Sequence, residues 1–165
     1  MKQDVDIVIK CQEMKNNKYM LAALKEAQKA FDKNEVPVGC VIVKDDKIIA
    51  RAHNQRQNKN SVLGHAELIA IEKANKKLKT WILEGCTIYV TLEPCPMCAG
   101  AILQSRMDKV VFGAFEPKFG ACGSIVNLLE DNRFNHQVKI EGGVMQEDCA
   151  TLLKKFFQIL RQIHY

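Results

Sequence analysis

The sequence predicts an α/β domain of three layers, α/β/α, built on a central, roughly five-stranded mixed sheet. Stretches whose apolar residues recur three or four apart alternate with short runs rich in Val, Ile and Cys, so helices alternate with strands. The 165 residues suit a single domain with a substantial core. No repeat, low-complexity run or linker divides the chain.

Residues 1–16 read as an N-terminal extension. Val5, Ile7 and Ile9 alternate briefly, but residues 11–17 have no clear period, and disorder or a short edge strand is expected there. The domain itself is expected to span residues 17–165. Within residues 19–32, Met20, Leu24, Ala27 and Phe31 fall at helical spacing. Pro37 and Gly39 then break the chain before two strands, 40–43 and 48–52, with Asp45-Asp46 as the hairpin turn between them. Residues 53–64 are polar and loop-like. A helix is expected from about His65, its buried side marked by Leu68, Ile69, Ile71, Ala74 and Leu78. Residues 87–91 read as a buried strand that runs into Cys95-Pro96-Met97-Cys98 and a further helix. Strands at 109–113 and 137–140 follow. The last helix, from about Glu147, carries Leu152, Leu153, Phe156, Phe157, Leu160 and Ile163 as one apolar stripe.

Composition narrows the class. An apolar fraction of 47% with 26% charged residues is that of a globular protein, and no apolar run approaches the ~20 residues that span a bilayer. Met1-Lys2-Gln3-Asp4-Val5-Asp6 lacks a signal-peptide pattern, so a cytoplasmic location is expected. Seven scattered cysteines, an odd number, suit a reducing compartment rather than a disulfide framework. Cys40, Cys86, Cys122 and Cys149 read as small core residues. Residues 44–79 hold nine Lys or Arg against four Asp or Glu, a difference of +5 that equals the net charge of the whole chain. A basic surface there would attract a polyanion such as nucleic acid, although the solvated face of a helix has the same composition.

That basic segment contains His65 and Glu67. Cys95 and Cys98, three apart at the start of a helix, can direct both sulfurs at one metal ion, with His65 as a third ligand. Three protein ligands leave a tetrahedral position for water, as in catalytic zinc, whereas structural zinc is usually closed by four. Glu67, two residues from His65, can reach that water without binding the metal. Singly, His65 reads as a helix cap, Glu67 as a first-turn carboxylate and the cysteines as a redox pair. Together they point to zinc-dependent hydrolysis in which Glu67 shuttles protons. Glu93 reads either as a support behind the ligands or as a structural hydrogen-bond acceptor.

His-x-Glu followed by Pro-Cys-x-x-Cys is the signature of zinc nucleobase deaminases. More of the chain resembles one family of them, the tRNA-specific adenosine deaminases. The resemblance rests on Glu35-Val36-Pro37-Val38-Gly39, Tyr89-Val90-Thr91-Leu92-Glu93-Pro94-Cys95, Cys98-Ala99-Gly100-Ala101, Val111-Phe112-Gly113-Ala114, Gly123-Ser124, Phe134-Asn135-His136 and residues 152–157, and it covers roughly 19–161. It implies a cytidine-deaminase-like fold, a homodimer, and conversion of the anticodon wobble adenosine of a tRNA to inosine with release of ammonia. It also implies zinc on His65, Cys95 and Cys98, a proton shuttle at Glu67, and a hydrogen bond from Asn54 to the flipped base. Val36, Pro37 and Leu92 would wall the base pocket. Glu116, Lys118, Phe157 and Arg161 would meet neighbouring nucleotides of the anticodon stem-loop, with core packing as the other reading of Phe157.

Three features depart from the family. Residues 60–64 read Asn-Ser-Val-Leu-Gly where Asp-Pro-Thr-Ala is common, position 116 is Glu rather than Asp, and residues 1–16 have no obvious counterpart. The rival readings are a deaminase of a free base or nucleoside, and a non-catalytic zinc-dependent RNA-binding subunit. Glu67 speaks against the second, which has no use for a proton shuttle.

Overall fold

The structure is a computed structural model that describes residues 2–163, with side chains from residue 5 onward. Its elements are α1 (Lys2–Asp32), β1 (Gly39–Lys44), β2 (Lys47–His53), α2 (Ala66–Leu78), β3 (Cys86–Leu92), α3 (Pro96–Gln104), β4 (Lys109–Ala114), β5 (Lys139–Gly142) and α4 (Gln146–Ile163). The five strands form one sheet in the order β2-β1-β3-β4-β5. β1 is antiparallel to β2 and β3, while β3, β4 and β5 run parallel, so the sheet is mixed as expected.

The period-two alternation of the strands sorts the core into two sides. Cys40, Ile42, Ile88, Val90, Val110 and Phe112 pack with Ala66, Ile69, Ala70, Ala99 and Ile102 of α2 and α3. Val41, Val43, Tyr89 and Val111 face the other way, against Tyr19, Met20 and Ala23 of α1 and Cys149 of α4. Both faces are thereby covered, which is why these strands read as continuous apolar runs. The hairpin joining β1 to β2 turns on Asp45 and Asp46, both left-handed at φ 49° and 59°, the two-residue geometry that suits the twist of paired strands. Cys40, Cys86, Cys122 and Cys149 are all buried and free.

The expectation of disorder or an edge strand at the N-terminus is corrected: α1 runs without interruption from Lys2 to Asp32, and Met1 lies outside the described residues. No Gly or Pro interrupts this stretch. Asn16, which reads as a break, is instead a tertiary anchor only 2% exposed. Its side chain accepts from Tyr89 Oη at 3.2 Å and from Gln12 at 3.1 Å, and donates to Glu141 at 2.9 Å. Lys15 and Tyr19 hold the hairpin turn, through Asp46 Oδ1 at 3.0 Å and the Asp46 carbonyl at 2.9 Å. Tertiary bonding thus outweighs the low helix propensity of the two asparagines. β5 lies two residues later than expected. On α4, Phe156 is buried with its ring edge-on to Phe31 at 5.7 Å, whereas Ile163 is 70% exposed, so the apolar stripe is packed only in part.

Gly39 permits the closest approach between α1 and β1: a Cβ there would collide with the Ala23 carbonyl and the Ala27 amide. Gly39→Ala should therefore lower unfolding stability by about 2 kcal/mol or more through overpacking. Gly100→Ala, in α3 with no atom within 4 Å of its would-be Cβ, should be neutral or stabilising by up to about 1 kcal/mol. Urea unfolding of the two variants checks this, and equal midpoints would contradict it.

Candidate active site

The mixed topology brings the carboxyl ends of β2, β3 and β4 to one edge of the sheet, beside the start of β1. At that edge α2 and α3 both begin. His65 is the residue capping α2 and Cys95 the one capping α3, each with extended backbone and neither with a side-chain cap bond. Pro96 takes the first turn of α3, where its missing N–H is no loss. His65 and both cysteines therefore lie at helix amino ends, where the helix dipole favours thiolate and other anions.

His65 Nδ1 lies 3.7 Å from Cys95 Sγ and 3.4 Å from Cys98 Sγ. The three ligand atoms lie within 4.8 Å of one another and could hold a metal ion. Around a tetrahedral zinc, with Zn–S near 2.3 Å and Zn–N near 2.0–2.1 Å, sulfur and nitrogen would be about 3.6 Å apart. The residues therefore fit the ion in both donor type and spacing. Hydrogen bonding from Cys98, and then from His65, draws the Cys95 thiol down to about 4 against the opposing effect of burial. Cys98 moves the opposite way, pushed up first by its bond to Cys95 and then by burial. The same contact with Cys95 raises His65. Binding of a metal ion would displace protons from the thiols, so affinity should rise with pH.

Glu67, in the first turn of α2, is 4% exposed, and burial raises its carboxyl above the usual range. It opens into a cavity of about 570 Å³ together with His65 and Cys95. Val36 and Leu92 supply apolar wall, while Asn54 and Glu116 supply polar wall. Asn54 donates to the Val36 carbonyl at 3.2 Å and accepts from the Arg56 amide at 3.1 Å, which fixes its plane and leaves one N–H and one lone pair. Cys98 completes the metal group but is not part of the wall. Pro37 is buried behind it, and Lys118 is exposed outside it. Phe157 and Arg161 lie apart on α4, where Arg161 Nε donates to the Phe157 carbonyl at 3.3 Å. The Glu116 carboxyl folds back to accept from the Lys118 amide at 2.9 Å, accommodating its extra methylene within its own loop.

Two buried carboxyl groups hold the loops on either side of the cavity. Glu35, fully buried, accepts from the amides of Gln57 and Asn58 at 3.1 and 2.6 Å. The loop at 54–64 is closed further by Gln55 N to the Gly64 carbonyl at 2.8 Å, so its unusual sequence still makes a fixed structure. Glu93 accepts from the amides of Glu116, Cys122 and Ser124 at 3.2, 3.1 and 3.1 Å, and from the Ser124 hydroxyl. Of the two readings of Glu93, these bonds select the structural acceptor. Gly120 leaves room for it, since a Cβ there would meet the Glu93 carboxyl. Sequence reasoning did not single out Glu35, Arg56, Gln57, Val62, Met97 or Phe119, all of which line the cavity. No spacing rule marks them, because all but Met97, in the first turn of α3, come from loops.

Glu93→Gln would turn an NH2 donor toward this ring of donors, a loss of about 2 kcal/mol for a buried site. Amide exchange at Glu116, Cys122 and Ser124 should accelerate about tenfold or more. Unchanged protection of all three amides would contradict the anchoring role.

Residues 14–161 match the MafB19-like deaminase family. The tRNA-specific adenosine deaminase of Bacillus subtilis strain 168 is 55% identical over 144 residues, 87% of this chain and 89% of its own length. That of Aquifex aeolicus strain VF5 is 46% identical over 143 residues, 87% of this chain and 94% of its own. A structure solved in a study of A-to-I editing by tRNA:A34 deaminases at the wobble position of transfer RNA matches with a TM-score of 0.79 at 38% identity. It covers 82% of this chain and 98% of that one, and the cytidine-deaminase-like fold expected from the resemblance is the fold observed. Likeness of this extent, in sequence and fold together, amounts to membership, and this chain belongs to the tRNA-specific adenosine deaminases.

Proposed function

We propose that this chain hydrolyses the wobble adenosine in the anticodon loop of a tRNA to inosine, with zinc held by His65, Cys95 and Cys98. The observation that carries the reading is a buried Glu67 opening into the same cavity as His65 and Cys95, with Cys98 completing their metal group. Zinc, when bound, supplies Lewis-acid activation of water. Glu67 accepts a proton from the attacking water and passes one to the ring nitrogen. A carbon–oxygen bond forms at C6, and Glu67 then takes the second water proton from the new hydroxyl and delivers it to the departing amine. The C6–N bond breaks, and adenosine plus water becomes inosine plus ammonia. Burial of Glu67 suits this shuttle, since a carboxyl raised above its usual range gives up a proton less readily to water and holds it for transfer.

The base lies between the apolar surfaces of Val36 and Leu92, and Asn54 orients its edge with the spare N–H and lone pair. Pro37 stiffens the Val36 wall from behind. Glu116 and Lys118 attend a neighbouring nucleotide; Phe157 and Arg161, on α4, attend nucleotides farther along the stem-loop. An adenosine in an unpaired loop flips into the cavity at lower cost than one held in a stack, which favours a loop over a duplex. Residues 17–165 form the catalytic domain of this reading, extended by residues 1–16. Family likeness supports a homodimer. Seven cysteines outside any disulfide suit the cytoplasm, and among the described residues no helix is long and apolar enough to cross a membrane.

The test is ammonia and inosine release from an anticodon stem-loop, with free adenosine, guanine and cytidine as alternatives. The stem-loop should be the substrate, and its binding should weaken as salt rises. Glu67→Gln should keep the metal and RNA binding yet lose about a hundredfold or more in turnover. Cys95→Ala should lose metal and activity together. Preference for a free base, or near wild-type turnover in Glu67→Gln, would overturn the assignment.

A further inference from the structure

Phe119 is the most solvent-exposed large aromatic side chain at the cavity, 69% exposed while contributing to its wall. So large an apolar surface in water is unfavourable unless something covers it. Other exposed aromatics differ: Phe115 is braced edge-on against Phe112 at 5.1 Å, and Trp81 and Phe134 are not in the cavity wall. Phe119 has no ring partner among the described residues. Its loop is nevertheless held firmly. Glu93 takes the amides of Glu116, Cys122 and Ser124, and the Gly120 amide donates to the Glu116 carbonyl at 2.8 Å. A rigid loop thus presents a bare aromatic ring at the mouth of the cavity, and the residue before it is the exposed Lys118. Val62, 62% exposed, also contributes to the wall, from the loop before α2.

We propose that Phe119 is the stacking platform for the nucleobase adjacent to the one that enters the cavity. This rests on the deaminase reading above. When a base leaves a single strand for a pocket, its neighbour loses a stacking partner at the point where the strand meets the protein. An aromatic ring at the mouth replaces that partner, and a π-face tolerates any base, so the contact adds affinity without demanding one sequence. Lys118 beside it attracts the phosphate that joins the two nucleotides.

The experiment uses the zinc-loaded full chain and three stem-loops: intact, abasic 5′ of the target adenosine, and abasic 3′ of it. Binding is measured in the Glu67→Gln background, and KM and kcat in the active protein. Phe119→Ala should weaken binding and raise KM about tenfold on the intact loop, with a much smaller change in kcat. One of the two abasic loops should weaken wild-type binding by a similar factor yet change Phe119→Ala less than about twofold, the non-additivity of two groups in direct contact. Phe119→Trp should restore binding, and Phe119→Leu, apolar but without a π-face, should not. Additive losses at both abasic positions, or a wild-type KM in Phe119→Ala, would overturn the proposal. So would a change in sedimentation of Phe119→Ala without base coupling, which would make the ring a subunit contact. A wild-type protein that forms no inosine from the intact loop would mark failure of the deaminase reading itself, a result separate from any of these.

Discussion

The meeting of two helix amino ends is the contact on which the rest of this structure depends. α2 and α3 both begin at this sheet edge with their positive dipole ends close together, an arrangement that is unfavourable by itself. His65, Cys95 and Cys98 resolve it. Their donor atoms gather within 4.8 Å, and the low pKa of Cys95 places negative charge where both dipoles favour it. A cation bound by two thiolates and an imidazole would complete the balance, and Glu67 is held beside it because it lies in the first turn of the same helix.

Around that centre the cavity is shaped by carboxyl groups that bind backbone rather than cations. Glu35 fastens residues 57–58, and Glu93 fastens residues 116, 122 and 124. Loops that carry function are ordinarily the mobile part of a fold. Here each is tied from inside by an acceptor that has no other partner to satisfy it. Such buried acceptors are unforgiving, because a carboxyl that loses its donors is left buried without partners. Departures from the family sequence at residues 60–64 and at Glu116 are consequently absorbed within the loops, leaving the His65, Cys95 and Cys98 group undisturbed.

Much of this was legible in the sequence, and the reasons for what was not are physical. Strand positions followed from short apolar runs and from the Asp45-Asp46 turn, but their order in the sheet did not, because pairing between distant strands leaves no local signal. The chemistry followed from His65, Glu67, Cys95 and Cys98, whose spacing carries meaning because helix geometry fixes where such residues point. The N-terminal helix was missed because Val5, Ile7 and Ile9 alternate and residues 11–17 show no helical period, while the bonds of Asn16 to Tyr89 and Glu141 are invisible without the fold. Phe119 and Arg56 were missed for a related reason: they reach the cavity from loops, where no periodicity links sequence position to direction.

The central claim is that one histidine and two cysteines hold a catalytic ion with a position left for water. Zinc K-edge X-ray absorption of the purified metal-loaded protein tests it most directly. The account predicts one zinc per chain with two sulfurs near 2.3 Å and two lighter atoms near 2.0–2.1 Å. A shell of four sulfurs, or one without sulfur, would contradict it.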